Sequence, residues 1–320
     1  MFAARGIAVS FAIFFIFYGV FSAGVCLVWQ KVGRYRERWS ARSYADVLFS
    51  LRMMPGAVAV GVTLGLAVPS FWLLEPRAVQ ESIGGAAVGL SICGAAVLLA
   101  GIWNASAALV RASRTVARWS GGPGGGDRRD ADFETPVLRM RAPAGAPLTA
   151  AGILRPRVWL SNAAEFVLTE RELESALRHE LVHVRRRDNL RKLVLRLVAS
   201  PGMKQLERAW HEATEMAADD AAVSNASEAL DLAAAVIKLS RLAPLAPAAE
   251  LTTALVHSPA ESVNARVERL IAWSERRKSV APGYALRYSL CAAAAAMAML
   301  VVTYGTLLMR VHAATEWLVR

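Results

Sequence analysis

The feature that most constrains the fold is a run of 23 consecutive residues without a charged side chain, residues 7–29. A helix of that length spans the roughly 30 Å hydrocarbon core of a bilayer. The alternative is a cleaved signal peptide, but the apolar core of a signal peptide is normally shorter. The run is also followed at once by a basic cluster that begins with Lys31. We therefore predict a retained transmembrane helix.

Three further apolar runs predict three more spans, which gives four in total. They cover residues 53–74, 83–110 and 288–309, and each is long enough to cross the bilayer as a helix. Overall 55% of the residues are hydrophobic, a high fraction for a soluble protein, and these runs hold most of the excess. The chain is therefore predicted to be a polytopic membrane protein that is mainly α-helical.

The remaining chain divides into a linker, a soluble block and a short tail. Residues 120–130 read SGGPGGGDRRD, a composition typical of flexible, charged linkers, and we place the linker at residues 111–131. Residues 132–287 have the composition of a soluble domain. Residues 310–320 form a short tail after the last predicted span.

The distribution of Lys and Arg predicts the orientation in the membrane. The net charge is +11, and the basic residues cluster after the first span, after the third and before the fourth. With four spans all three clusters lie on one side, which the positive-inside rule identifies as the cytoplasm. The soluble block is then cytoplasmic and both termini are outside. The other interpretation of a basic chain is nucleic-acid binding, but the charges adjoin the apolar runs, so we predict no direct nucleic-acid partner.

The soluble block contains the motif H-E-x-x-H at His179, Glu180 and His183. Thr169 and Glu172 have the spacing of a capping box, and apolar residues then recur at three- and four-residue steps, which predicts an amphipathic helix. Two histidines four apart project from one helix face and can share a metal ion at about 2.0–2.1 Å. Glu180, beside the first ligand, is placed to act as a general base. The alternative is two ordinary helical histidines, which is disfavoured because the chain has only 5 histidines.

A catalytic zinc ion usually has three protein ligands and one position left for water. The third ligand is expected in the alanine-rich, helical stretch at residues 209–223. The candidates are Glu215, His211 and Glu212, and their spacing does not separate the first two. Asp219 lies four residues after Glu215, where its carboxylate could orient a ligating imidazole. A solvated acidic helix face is the alternative.

HELVHVRRRD followed by EMAADDAAV resembles the BlaR/MecR-type antirepressor zinc metallopeptidases, which are bacterial integral-membrane proteins. The family pattern is H-E-x-x-H with a following Asp, here Asp188, and then E-x-x-x-D in a later helix. The resemblance implies that Glu215 is the third ligand and that Asp188 and Asp219 support the histidines. It further implies one Zn²⁺ per chain and a zinc metalloendopeptidase of the gluzincin-like type.

Other parts of the chain fit the same resemblance. The stretch GILRPRVWLS resembles the family's strand ahead of the catalytic helix, and Arg157, Val158 and Trp159 are predicted to lie on an edge strand that lines the substrate cleft. A structural strand without substrate contact is the alternative. ARVERL at residues 265–270 resembles the segment before the last span. The implied fold is four transmembrane helices with a cytoplasmic zincin-like α+β metallopeptidase domain, in the bacterial inner membrane.

The resemblance implies regulatory proteolysis of a cytoplasmic protein, such as a winged-helix repressor, in signal transduction. Well-known members carry a large penicillin-binding sensor domain after the fourth span, whereas here only 11 residues follow Met309. We therefore expect a stimulus to enter through the spans, the short outer loops or a sensor partner protein.

Two other functions compete with this one. An HtpX-like or CAAX-type quality-control protease uses the same motifs, but it tends to have spans between them. A non-catalytic signalling scaffold would hold a structural zinc ion with four protein ligands, His211 being the fourth.

Overall fold

The computed structural model describes most of the membrane helices and most of the soluble block. The described residues are 2–33, 36, 39–75, 83–120, 127–128, 137–140, 147–198, 202–242, 251–254, 260–275 and 303–316. The linker is described only at its first ten residues and at 127–128, and the fourth predicted span only from residue 303. Most of those two predicted segments therefore lies outside the described residues.

Among the described residues, three helices are long and apolar enough to cross a membrane, and they correspond to the first three predicted spans. Helix α1 is Phe2–Val32; helix α2, Ala41–Val62, continues through a π-helical turn into α3, Val68–Leu74; and helix α4 is Gly85–Ser120. The candidate spans are Phe2–Lys31, Ala41–Leu74 and Gly85–Trp119. These three helices are consistent with the prediction of a membrane protein.

The helices extend beyond the predicted apolar runs. Helix α2 begins at Ala41 rather than at residue 53, and α4 continues to Ser120, so the first ten residues of the predicted linker are helical. The prediction failed at these ends because it followed hydropathy, whereas backbone hydrogen bonds continue through charged residues. Arg52 shows how this is possible, since its guanidinium donates to the carbonyl of Val198 at 2.6 Å and the residue is 3% exposed.

In its described residues, the soluble block combines a small mixed sheet with six α-helices. Strands β1 (Asp127–Arg128), β2 (Val137–Met140), β3 (Leu148–Ala151), β4 (Arg157–Ser161) and β5 (Thr252–Ala254) lie in the order β1-β2-β4-β3-β5. The helices are α5 (Asn162–Val167), α6 (Glu170–Arg186), α7 (Asp188–Leu197), α8 (Lys204–Ala222), α9 (Ala226–Leu242) and α10 (Ala260–Ile271). Residues 303–316 form one more helix, α11.

Strand β4 lies inside the sheet, so the prediction that it is an edge strand is wrong. It pairs with β2 in parallel and with β3 antiparallel. Val158 is 0% and Trp159 2% exposed, so only Arg157 of the three predicted cleft residues reaches the surface. Pro156 suggested an edge strand, but it precedes the first strand residue, where a missing N–H costs no ladder hydrogen bond.

Two hydrophobic cores hold the soluble block and join it to the spans. The first packs strands β3 and β4 against helices α5, α6 and α9, with Leu177, Leu181 and Val236 among its buried members. The second contains Trp210 of α8 together with Leu48 of α2, both 0% exposed, and further residues of α1 and α7. Helix α8 is thus fixed directly to the membrane-spanning helices.

The end of α7 lies against the backbone of two spans. Gly101 in α4 has no room for a side chain, because a Cβ there would overlap the carbonyl oxygen of Leu197. Gly56 in α2 meets Val198, and a Cβ there would lie 3.1 Å from its side chain. Leu197 and Val198 thus form a contact between the soluble block and the apolar helices.

Replacing Gly101 with alanine is expected to destabilise the protein by about 1–3 kcal/mol, because the added methyl group must push α7 away from α4. Thermal unfolding in detergent measures the loss. Gly89→Ala is the matched control on the same helix, since nothing lies within 4 Å of a Cβ at that position. Equal stability of the two variants would contradict the close contact between α4 and α7.

Candidate metal centre

Helix α6 carries the H-E-x-x-H motif and begins as predicted. Thr169 is the N-cap residue, and the capping box is complete: the Thr169 N–H donates to Glu172 Oε2 at 2.8 Å, and the Glu172 N–H donates to Thr169 Oγ1 at 3.4 Å. The face that bears His179 and Glu180 is buried, with both residues 0% exposed. The cap fixes where the helix starts and therefore where this face points.

A left-handed residue between α6 and α7 returns the chain toward His183. Arg187 has φ 54° and ψ 41° and ends α6, and Asp188 is the first residue of α7. Asp188 is 0% exposed, and its Oδ2 lies 2.7 Å from His183 Nδ1. Because Nδ1 faces a carboxylate, the ring directs its Nε2 away from Asp188 and toward the centre.

Helix α8 supplies the corresponding partner for His179. Asp219 is buried, and its Oδ1 lies 3.0 Å from His179 Nδ1. Glu215 lies one turn earlier on α8 and reaches both imidazoles: its Oε2 is 3.5 Å from His179 Nε2 and its Oε1 is 3.5 Å from His183 Nε2. The two carboxylates therefore lie where the resemblance implies, with Glu215 near both Nε2 atoms and Asp219 near His179 Nδ1.

His179, His183 and Glu215 are placed to hold one metal ion. Their ligand atoms lie within 4.8 Å of one another, and the two Nε2 atoms are 3.1 Å apart. Ligands about 2.05 Å from a tetrahedral ion are separated by roughly 3.3 Å, which falls between the observed 3.1 and 3.5 Å. The arrangement therefore fits a metal ion, and imidazole with carboxylate is a donor set that suits zinc.

His211 is not a member of this group. Its ring lies against that of Trp210 at a tilt of 55°, with the ring centroids 4.8 Å apart, and neither group of potential metal ligands found among the described residues includes it. Of the candidates that the spacing left open for the third ligand, the described structure brings only Glu215 to the two histidines. Glu212 is likewise absent from that group.

Glu180 lies beside the group and is held by the sheet. The backbone N–H of Ala150 in β3 donates to Glu180 Oε2 at 3.0 Å. Burial raises the pKa of Glu180 above its usual value and outweighs the opposite effect of the neighbouring histidines. Asn189 fixes the same part of β3, since its side-chain amide donates to the Ala150 carbonyl at 3.1 Å.

Arg266 of α10 is the main residue of the site that the sequence did not identify. Its guanidinium donates to both oxygens of Asp219, at 2.9 and 2.6 Å, and its Nη1 lies 3.1 Å from Glu215 Oε2. It is 3% exposed. The only sequence signal was the segment ARVERL, which was singled out as a whole without a role for the arginine.

Charges within the site offset the cost of burying its carboxylates. Burial acts to raise the pKa of Glu215 and Asp219, but Arg266 and the two histidines outweigh it and hold both pKa values well below the usual range. Burial acts to lower the pKa of His179, but interaction with Asp219 and Glu215 raises it to about 9. These interactions favour the protonated form of His179 in the metal-free site, whereas a metal ligand must be the neutral imidazole, so metal binding competes with the proton.

No protein-family model matches the chain, and no curated protein matches it.

Proposed function

We propose that this protein is a membrane-embedded zinc-dependent endopeptidase. The observation that carries the proposal is the set of three distances among His179 Nε2, His183 Nε2 and the Glu215 carboxylate, together with the buried Glu180 beside them. Three protein ligands leave a fourth position for water or substrate, as in catalytic rather than structural zinc sites. The soluble block is then a zincin-like domain.

The residues of the chain divide the work as follows. His179, His183 and Glu215 would hold Zn²⁺, which when bound polarises the scissile carbonyl and makes water acidic enough to attack near neutral pH. Glu180 takes the proton of the attacking water and delivers it to the leaving amine. The raised pKa of Glu180 suits a group that must both accept and release a proton.

Asp188, Asp219 and Arg266 act through the ligands. Asp188 and Asp219 each face an Nδ1 atom, which selects the tautomer that offers Nε2 to the metal. Arg266 fixes the orientation of Asp219 with two hydrogen bonds and approaches Glu215. Their distances support positioning roles and not contact with the substrate.

The proposed substrate is a cytoplasmic protein such as a winged-helix repressor, and the proposed location is the bacterial inner membrane with four spans. The resemblance to BlaR/MecR-type antirepressor metallopeptidases supports this assignment. The described helices agree with it, because the ends of α1 and α2 that pack against Trp210 are the ends next to the basic cluster around Lys31 and Arg42.

A quality-control protease of the HtpX or CAAX type is the second candidate. Such proteins tend to have spans between the histidine motif and the later glutamate. Here the chain between His183 and Glu215 contains α7, which has only 10 residues, and the first part of α8, and no described helix in that interval qualifies as a span. This observation favours the antirepressor-like function.

Metal content tests the proposal and separates it from a scaffold with structural zinc. In purified full-length protein, Glu215→Ala is expected to lose one zinc ion per chain relative to the wild type, because it removes a ligand. His211→Ala, on the same helix, is expected to keep the wild-type content. Loss of the same zinc ion in His211→Ala would indicate a fourth protein ligand and would overturn the open catalytic site.

A further inference from the structure

A second group of potential metal ligands lies at the opposite end of the helix bundle. It consists of Glu75, which follows α3, and His312 and Glu316, which are one turn apart on α11. One ligand atom from each lies within 4.8 Å of the others. No motif in the sequence pointed to this group, because Glu75 is more than 230 residues from His312 and Glu316 along the chain.

The packing of the helices places this group far from His179. The start of α1 packs on the end of α3, with the rings of Phe2 and Phe71 4.7 Å apart, whereas Val25 of α1 packs in the Trp210 core. The twenty residues of helix between Arg5 and Val25 rise about 30 Å. The two groups therefore lie at the two ends of the membrane-spanning bundle.

Helix α11 is docked at this end by contacts outside the group itself. Val311 packs against the cluster of Val9, Ile13 and Ala67, which belongs to α1 and the end of the second span. The Tyr304 hydroxyl donates to the Gly65 carbonyl at 2.8 Å. The three ligand candidates thus come from elements whose relative positions are already fixed.

The carboxylate of Glu75 is buried and divided between two neighbours. Its side chain is 6% exposed, and its Oε1 lies 2.9 Å from Nη1 of Arg5, an ion pair that offsets the cost of burial. Its Oε2 faces His312 Nδ1 at 3.8 Å, which is too far for a hydrogen bond. That Nδ1 is itself buried and makes no hydrogen bond within the described part of the chain.

These distances suit the ligands of a metal ion better than a hydrogen-bonded cluster. His312 Nδ1 lies 3.8 Å from Glu75 Oε2, and His312 Nε2 lies 3.8 Å from Glu316 Oε1. An imidazole gives an ion one of its two nitrogens, and for either nitrogen the neighbouring carboxylate oxygen is about half an ångström beyond the roughly 3.3 Å that separates the ligands of tetrahedral zinc. The Glu316 side chain is 43% exposed.

We propose that Glu75, His312 and Glu316 bind a divalent transition-metal ion of the zinc class. An imidazole with two carboxylates favours zinc over magnesium or calcium, which prefer oxygen ligands alone. The ion would tie α11 to the end of α3, and through Glu75 to Arg5 at the start of α1. With the soluble block in the cytoplasm, as proposed above, this site lies on the outer side of the membrane, where it would take up metal from outside the cytoplasm.

Zinc content of the purified full-length protein after equilibration with excess Zn²⁺ and removal of free metal tests this site. His312→Ala and Glu316→Gln are each expected to hold one zinc ion fewer per chain than the wild type. Arg310→Gln is the matched control on the exposed side of α11, and it is expected to keep the wild-type content. Wild-type zinc content in His312→Ala and Glu316→Gln would overturn the site and identify the group as an ion-pair cluster alone.

This test is independent of the peptidase proposal, because it compares the zinc content of each variant with that of the wild type. The expected difference is one ion per chain, whatever the total zinc content. The same variants made in a His179→Ala background should again differ by one ion. Glu316→Gln also guards against misfolding, since Glu316 is half-exposed and glutamine has nearly the same shape. If Glu316→Gln binds Zn²⁺ as tightly as the wild type at the second site, Glu316 is not a ligand and the proposed set is wrong.

Discussion

Replacing Glu180 with glutamine is expected to lower the rate of peptide-bond cleavage by at least about 100-fold while zinc remains bound. General acid–base catalysis contributes about 10²–10⁴-fold, and the amide cannot accept the proton of the attacking water. The fold should persist, because the glutamine oxygen can still accept the hydrogen bond that the Ala150 N–H donates to Glu180. Cleavage of an internally quenched peptide library by the purified protein, measured beside its zinc content, checks both parts.

Glu174→Gln is the matched control for this variant. Glu174 lies on the same helix, but its side chain is 51% exposed and pairs with Arg178. An exposed pair of this kind contributes only a few tenths of a kcal/mol, so rate and zinc content should stay at the wild-type level. If Glu180→Gln cleaved peptides as fast as Glu174→Gln, the assigned role of Glu180 would be wrong.

Helix α6 could be predicted because its signals are local. Thr169 and Glu172 lie within one turn, and His179 and His183 lie one turn apart, so spacing alone places each pair on one face. The pairing of Asp188 with His183 depends on one left-handed residue between them. No periodicity signals such a turn at an arginine, and the resemblance to known metallopeptidases supplied the expectation.

Features that depend on distant parts of the chain could not be predicted in this way. The sequence of strand β4 is typical of an edge strand. In the structure β2, about twenty residues earlier, pairs with it in parallel, so it is not at the edge. Arg266 reaches Asp219 across 47 residues, and each of them alone has the appearance of an ordinary surface charge. The sequence identifies which side chains can ligate a metal ion, whereas tertiary packing decides which counter-charges accompany them into the interior.

Arg266→Met is expected to lower the free energy of unfolding of the metal-free protein by about 3–5 kcal/mol. Removing one partner of a buried ion pair leaves the other uncompensated, and Arg266 serves both Asp219 and Glu215. Methionine keeps much of the side-chain volume of arginine. The loss of stability is therefore due to the missing charge and not to a cavity. Arg269→Met is the control on the same helix: Arg269 pairs with the partly exposed Asp220, and its loss should cost about 1 kcal/mol or less.

The stabilisation of Arg266→Met by zinc is a second test of the charge balance in the site. When Arg266 is absent, a bound zinc ion can supply the positive charge that neutralises Glu215. Saturating zinc should therefore restore part of the lost stability. The rise in melting temperature on adding zinc is therefore expected to be larger for Arg266→Met than for the wild type or Arg269→Met. Thermal unfolding of the three proteins with zinc and with a chelator measures it. A smaller rise for Arg266→Met would mean that Arg266 aligns Glu215 for the metal more than it neutralises the carboxylates.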